Sequence, residues 1–187
     1  MLVYAQLSLF AYFLYAFTPS VTLLRDEEHV GDAVAGLHGT VYAVGVVAVG
    51  AVGQRILAAI GRTRALWIFM ATLSAGIVTY VSAPLLGLTL TGALVCGAGA
   101  SGVAITVAPI LIARHGPAGP AAVTEANGIA ATVGLLAPLA LGGAVAVGIG
   151  WRPALLLFVA LTAALFAVRN LLRERPAPPE PAGHGSS

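Results

Sequence analysis

The sequence has no lysine and a single cysteine, and charged side chains make up only 9% of its 187 residues. Each scarcity excludes something. Cys96 has no partner for an intrachain disulfide, and one cysteine does not make a thiolate metal cluster. A soluble domain carries about 25% charged residues, so this chain lacks the polar surface to cover a water-soluble globule. The four histidines, His29, His38, His115 and His184, are scattered and form no metal-ligand spacing. No phosphate-binding loop and no basic nucleic-acid patch is visible, so neither an ATP-driven pump, nor a nucleic-acid partner, nor a cofactor is expected. The apolar N-terminus has no basic leader and no small-residue cleavage site, and it reads as a retained helix, not a signal peptide.

What the sequence has is apolar residues, 59% of the total, in long runs. A spanning helix needs about 20 mostly apolar residues. Six segments meet that length, at about 2–24, 34–60, 65–82, 86–113, 121–149 and 154–172. Barrel strands would alternate apolar and polar over about 10 residues. These runs are longer and apolar all round, and in lipid a helix pairs every backbone group within its own segment. The expected fold is therefore all-α: a polytopic membrane protein with a six-helix domain over 1–172. The Pro-rich stretch RERPAPPEPAGHGSS at 173–187 is expected to be a disordered cytoplasmic tail or the start of a linker.

Arginine placement gives an orientation. Arg55, Arg62 and Arg64 flank the second-to-third connection, Arg114 lies in the fourth-to-fifth, and Arg169, Arg173 and Arg175 follow the sixth span. The opposite side has only Arg25 and Arg152, beside Asp26, Glu27, Glu28 and Asp32. The basic excess marks the cytoplasmic side, which puts both termini inside and the acidic loop outside. Exclusive use of arginine fits a GC-rich bacterial genome, and hence an inner membrane.

The stretch CGAGASGVAI at 96–105 admits two readings. Ser101 among small residues resembles an intramembrane serine nucleophile, which needs a base to take its proton. The sixth span, where rhomboid proteases carry that histidine, has none, and only His38 reaches the membrane at all. The other reading is a packing seam. Gly92, Cys96, Gly99 and Gly102 recur at helical spacing with Gly97 beside them, and small residues let helix backbones approach closely. The seam is the better account, and no enzyme is expected.

The order of the motifs along nearly the whole chain resembles the N-terminal half of a major facilitator superfamily transporter. The second-to-third connection, QRILAAIGRTRAL, keeps Gly61, Arg62 and a displaced Arg64 of that family's loop motif, with Ala58 and Ala59 in place of its Asp and Arg. In ALVCGAGAS, Gly97 and Gly99 match the fourth-helix motif, whereas Ala93 stands at the Arg position tied to proton coupling. Gly134, Pro138, Gly142 and Gly143 partly match the Gly- and Pro-containing fifth-helix motif of exporters, and Pro138 should kink that helix. Gly150-Trp151-Arg152 resembles the entry to the sixth helix, and also suits ordinary interfacial anchoring.

The resemblance implies half of a secondary transporter, of the efflux type on the strength of the fifth-helix motif. It moves a small organic molecule bound near the midplane between two six-helix halves. The second half is a continuation of the same chain, a second copy or another chain. The family's first and fourth helices, with parts of the second and fifth, line the cavity. That makes Tyr12, Tyr15, Thr18, His38, Tyr42, Ser101, Thr106, Glu125 and Asn127 the substrate-cavity candidates. For each the plainer reading is an interface anchor, a side chain bonded to its own helix, or a helix-opening residue. The alternative function is a structural or assembly membrane protein that keeps the fold without the coupling residues.

Overall fold

The computed structural model describes residues 1–173, so the tail expected to be disordered lies, from Glu174 onward, outside the described residues. Seven α-helices account for nearly all of it: α1 Leu2–Glu28, α2 Asp32–Ile60, α3 Arg62–Ser82, α4 Leu86–His115, α5 Gly119–Gly134, α6 Leu136–Ala146 and α7 Arg152–Arg173. No strand occurs among the described residues. Five stretches are long and apolar enough to cross a membrane, where six were expected from the sequence. The difference is the run Leu86–Ala146, 61 residues that count as one apolar stretch although Arg114, His115 and Glu125 lie within it. As one straight helix it would be about 90 Å long, three times the hydrocarbon core of about 30 Å. Instead it contains α4, a 3-10 turn at Gly116–Ala118, α5 and α6, and α5 packs against both α4 and α1.

The breaks have local causes. His29 adopts the left-handed conformation (φ 52°, ψ 35°) and closes α1 with its N–H on the Arg25 carbonyl. Gly61 alone separates α2 from α3, at φ 80° and ψ 146°, a region open in practice only to glycine. The fifth-helix motif breaks the helix at Leu135, three residues before Pro138. Pro138 has no N–H for the carbonyl one turn earlier, at Gly134, and its ring crowds that carbonyl. Most helices reach slightly beyond the apolar runs at one end, because the polar residues at the junctions join the terminal turns.

Two helices organise the bundle. α4 lies between α2 and α3, and α1 packs along α5, α6 and α7. Glycine explains the first arrangement. On one face of α4, a β-carbon at Gly92 would stand 2.5 Å from the Tyr80 amide nitrogen, and one at Gly99 would stand 2.5 Å from that of Leu73. Gly76 of α3 meets Cys96 in the same seam, and Gly102 receives the Phe69 ring. On the other face, Gly97 lies against the Tyr42 carbonyl and Gly45 of α2 against the Leu94 carbonyl. The backbones are in contact, and the gain is dispersion between them.

The centre is aromatic. Phe13 and Phe17 of α1 meet Tyr42, Phe158 and Tyr80, with Phe17 stacked on Tyr42 at 4.8 Å between ring centroids. At the acidic end a clasp joins three helices. The Arg152 guanidinium of α7 donates to both Glu27 carboxylate oxygens of α1 at 2.8 Å and to the Val81 carbonyl of α3 at 3.0 Å, and Trp151 Nε1–H donates to Glu27 at 3.1 Å. Gly150-Trp151-Arg152 is thus a tie between helices as well as an interfacial anchor.

Candidate functional site

A polar stripe runs along α1. Tyr4, Ser8, Tyr15, Thr18 and Thr22 recur at intervals of one or two turns and so lie on one face of the helix. Toward the helix start this face opens into a cavity of about 550 Å³ between α1 and α5, lined by Tyr4, Ser8, His115, Glu125 and Ile129. The Tyr4 hydroxyl stands 3.3 Å from Glu125 Oε2 and 3.4 Å from the Ala122 carbonyl, one proton shared between two acceptors. Further along, Tyr15 lies over Gly134, where a β-carbon would come within 2.9 Å of its ring. The kink motif therefore gives α5 a flat place for an aromatic of the stripe.

The structure divides the nine sequence candidates into groups. Tyr15, Thr18 and Glu125 are exposed on the α1–α5 side. Asn127 is exposed too, but its amide donates to its own helix at the Val123 carbonyl, 2.9 Å away. Tyr12 is buried and its hydroxyl donates to the Ala154 carbonyl at 2.8 Å, pegging α1 to α7. Thr106 is buried and bonds the Gly102 carbonyl at 2.6 Å. Tyr42 and Ser101 lie at the α2–α4 seam, with Ser101 Oγ facing Gly50. Of the motif residues, Gly61 forms the α2–α3 link, with Arg62 and Arg64 exposed in the first turn of α3, and Gly142 and Gly143 face open space. Ala93, at the coupling-arginine position, is fully buried.

His38 belongs to a different constellation. Its ring is 1% exposed. Nδ1 lies 3.2 Å from the Ala35 carbonyl and Nε2 2.9 Å from Thr89 Oγ1 of α4. With Nδ1–H donating to Ala35, the Thr89 hydroxyl, which also stands 3.1 Å from the Leu86 carbonyl, is the donor that faces Nε2, so both nitrogens are engaged and neither serves Ser101. The ring meets Tyr80 edge-on at 6.1 Å, and Tyr80 is 3.3 Å from the Ser20 hydroxyl. The chain Ser20–Tyr80–His38–Thr89 links all of α1 to α4. Thr89→Val should cost about 1–3 kcal/mol by leaving Nε2 unpaired, and Thr89→Ser should restore most of it. Melting both variants in detergent checks the ordering.

Sequence reasoning missed Tyr4, Ser8 and His115. The first two were legible in the helical spacing that connects them to Tyr15 and Thr18. His115 reads as a loop residue beside Gly116-Pro117, yet it is the last residue of α4.

No curated protein matches the chain by sequence. The sequence profile of the Major Facilitator Superfamily matches residues 3–186, nearly the whole length. With its apolar helices long enough to span a bilayer, the chain belongs to the major facilitator superfamily of membrane transporters.

Proposed function

We propose that the chain is one six-pass half of a secondary transporter, with α4 as one pass and α5 and α6 together as another, in a bacterial inner membrane with both termini cytoplasmic. It moves a small organic molecule by alternating access, in the export direction, together with a second six-helix half. The observation that carries this reading is the polar stripe of α1, opening into a cavity with Glu125, His115 and Tyr4 on its wall and Ile129 beside them. A site with one carboxylate, two aromatic or imidazole groups and an apolar patch suits a small amphiphilic solute. Tyr15, Thr18 and Glu125 are the substrate-facing candidates that best fit it. The second half has a surface to cover: α2 is buried along only 17% of its most apolar window, and Val44 and Val47 stand exposed on it.

A structural, non-transporting role is the second reading, favoured by the buried Ala93 where coupling would need an arginine and by Ala58 and Ala59 in the loop motif. Thiol labelling separates the two. Native Cys96 is buried and gives little background. A cysteine at Gly31 should react with an impermeant reagent only from outside, and one at Pro117 only from inside. A cysteine at Thr18 should react from both sides, because alternating access opens α1 to each in turn. Labelling of Thr18→Cys from one side alone contradicts transport, and reversal of the Gly31 and Pro117 pattern contradicts the orientation.

A further inference from the structure

At the bundle end where α1 and α3 begin and α4 and α7 finish there is a second cavity, of about 330 Å³. Its polar lining consists of Arg114 and Arg169, the Thr63 hydroxyl, Trp67 and Gln6. Each of these groups can donate a hydrogen bond, and among the described residues no carboxylate lines the cavity. Among the described residues the ion pairs belong to Arg25 and Arg152, so Arg114 and Arg169 face the cavity without an acidic partner there. Gln6 is only 2% exposed, and its amide nitrogen has no hydrogen-bond partner. A buried donor left unpaired costs stability, and an anion in this cavity would satisfy it.

Beside this cavity lies a groove of about 300 Å³ between α3 and α7, and Trp67 lines both. Ala71, Val159, Ala163 and Phe166 make the groove almost wholly apolar. Arg169 lies over the Trp67 ring at 5.2 Å, and Trp67 meets Phe166 edge-on at 5.4 Å, so the basic and apolar parts abut. From Trp67 to Ser74, both groove residues, the helix advances about 10 Å, enough for the upper half of an acyl chain.

We propose that this composite cavity binds one anionic phospholipid, its phosphate between Arg114 and Arg169 with Gln6 and Thr63 donating, and one acyl chain along the α3–α7 groove. A free phosphate would leave the groove unused. A zwitterionic headgroup would bring a cation to a cavity with no carboxylate among its described lining residues. Basic pockets between helices at headgroup level bind anionic lipids by the same physics.

The test uses Trp67 as reporter in the purified full chain, with Trp67→Phe supplying the background from Trp151. The protein is reconstituted in phosphatidylcholine vesicles containing phosphatidylglycerol brominated near the top of its acyl chains, or phosphatidylcholine brominated in the same way. Trp67 quenching should be half-complete at a roughly tenfold lower mole fraction of the brominated phosphatidylglycerol. Arg114→Gln with Arg169→Gln should abolish that preference. Arg62→Gln with Arg64→Gln, which leaves the cavity intact at the same membrane face, should keep it. Excess inorganic phosphate should not change it. Equal quenching by the two lipids overturns the proposal, and that comparison in the native chain needs no variant to fold. Preference that survives loss of Arg114 and Arg169, that disappears with Arg62 and Arg64, or that inorganic phosphate removes, overturns it as well. The last outcome would mean a free anion only.

Discussion

Gly99→Ala should lower the melting temperature in detergent, even though alanine is the better helix former by about 1 kcal/mol. The added methyl would stand 2.5 Å from the Leu73 amide nitrogen and 2.7 Å from its Cα. These are backbone atoms of a neighbouring helix, so no rotamer change relieves the clash and α4 has to move away from α3. Overpacking of a fitted core costs about 1–3 kcal/mol, which outweighs the propensity gain, and Gly99→Leu should cost more than Gly99→Ala. Two controls give the prediction its sign. At Gly142 a β-carbon meets nothing within 4 Å, so Gly142→Ala should stabilise by about 0.5–1 kcal/mol. Ser101→Ala removes at most a weak intramembrane hydrogen bond, worth about 0.6 kcal/mol on average. Gly99→Ala melting at or above the native chain would mean that the α3–α4 seam is looser than described.

Arg152→Met is expected to have the next largest effect. One guanidinium holds the end of α1 through Glu27 and the end of α3 through the Val81 carbonyl, while its Cζ lies 4.8 Å from the Trp151 ring centre. Removing it frees all three contacts at once. The Arg152 and Glu27 side chains are 28% and 37% exposed, so solvent screens part of the attraction. The loss should be about 1–3 kcal/mol, the range for hydrogen bonds to charged groups. Glu27→Gln should cost less, because an amide still accepts from Arg152 and Trp151. High salt should narrow the gap between the native chain and Arg152→Met. Equal melting of the native chain and Arg152→Met would reduce the clasp to a surface contact.

That the chain is built of apolar helices was legible because lipid demands long apolar runs, although the run Leu86–Ala146, read as two spans, counts as one apolar stretch. The helices' neighbours were less so. Gly99 and Gly102 could be read as a seam, but not as one facing Leu73 and Phe69 of α3. Gly97, beside these residues in the sequence, belongs to another face, because two residues turn an α-helix by about 200°, and it lies against Tyr42 of α2. Pro138 announced a kink, whereas the break falls at Leu135 because the lost hydrogen bond belongs to the preceding turn. Among the cavity candidates, Tyr12 and Thr106 qualify by polarity and by lying on the family's cavity helices, and each spends its hydroxyl on a backbone carbonyl. Residue type shows that a membrane helix carries a polar group. Only the packing of its neighbours shows whether that group faces a cavity or a carbonyl.

Flux through reconstituted vesicles tests the transport claim most directly. The chain, allowed to pair with its second half, is placed in sealed vesicles and offered a panel of radiolabelled small amphiphiles and the dye ethidium. The expected result is saturable movement of at least one solute above that of protein-free vesicles. It should be weakened by Glu125→Gln in the α1–α5 cavity and left intact by Gly142→Ala, where a β-carbon meets nothing. Folded, paired protein that moves none of these solutes faster than empty vesicles would contradict transport by this cavity and favour the structural role.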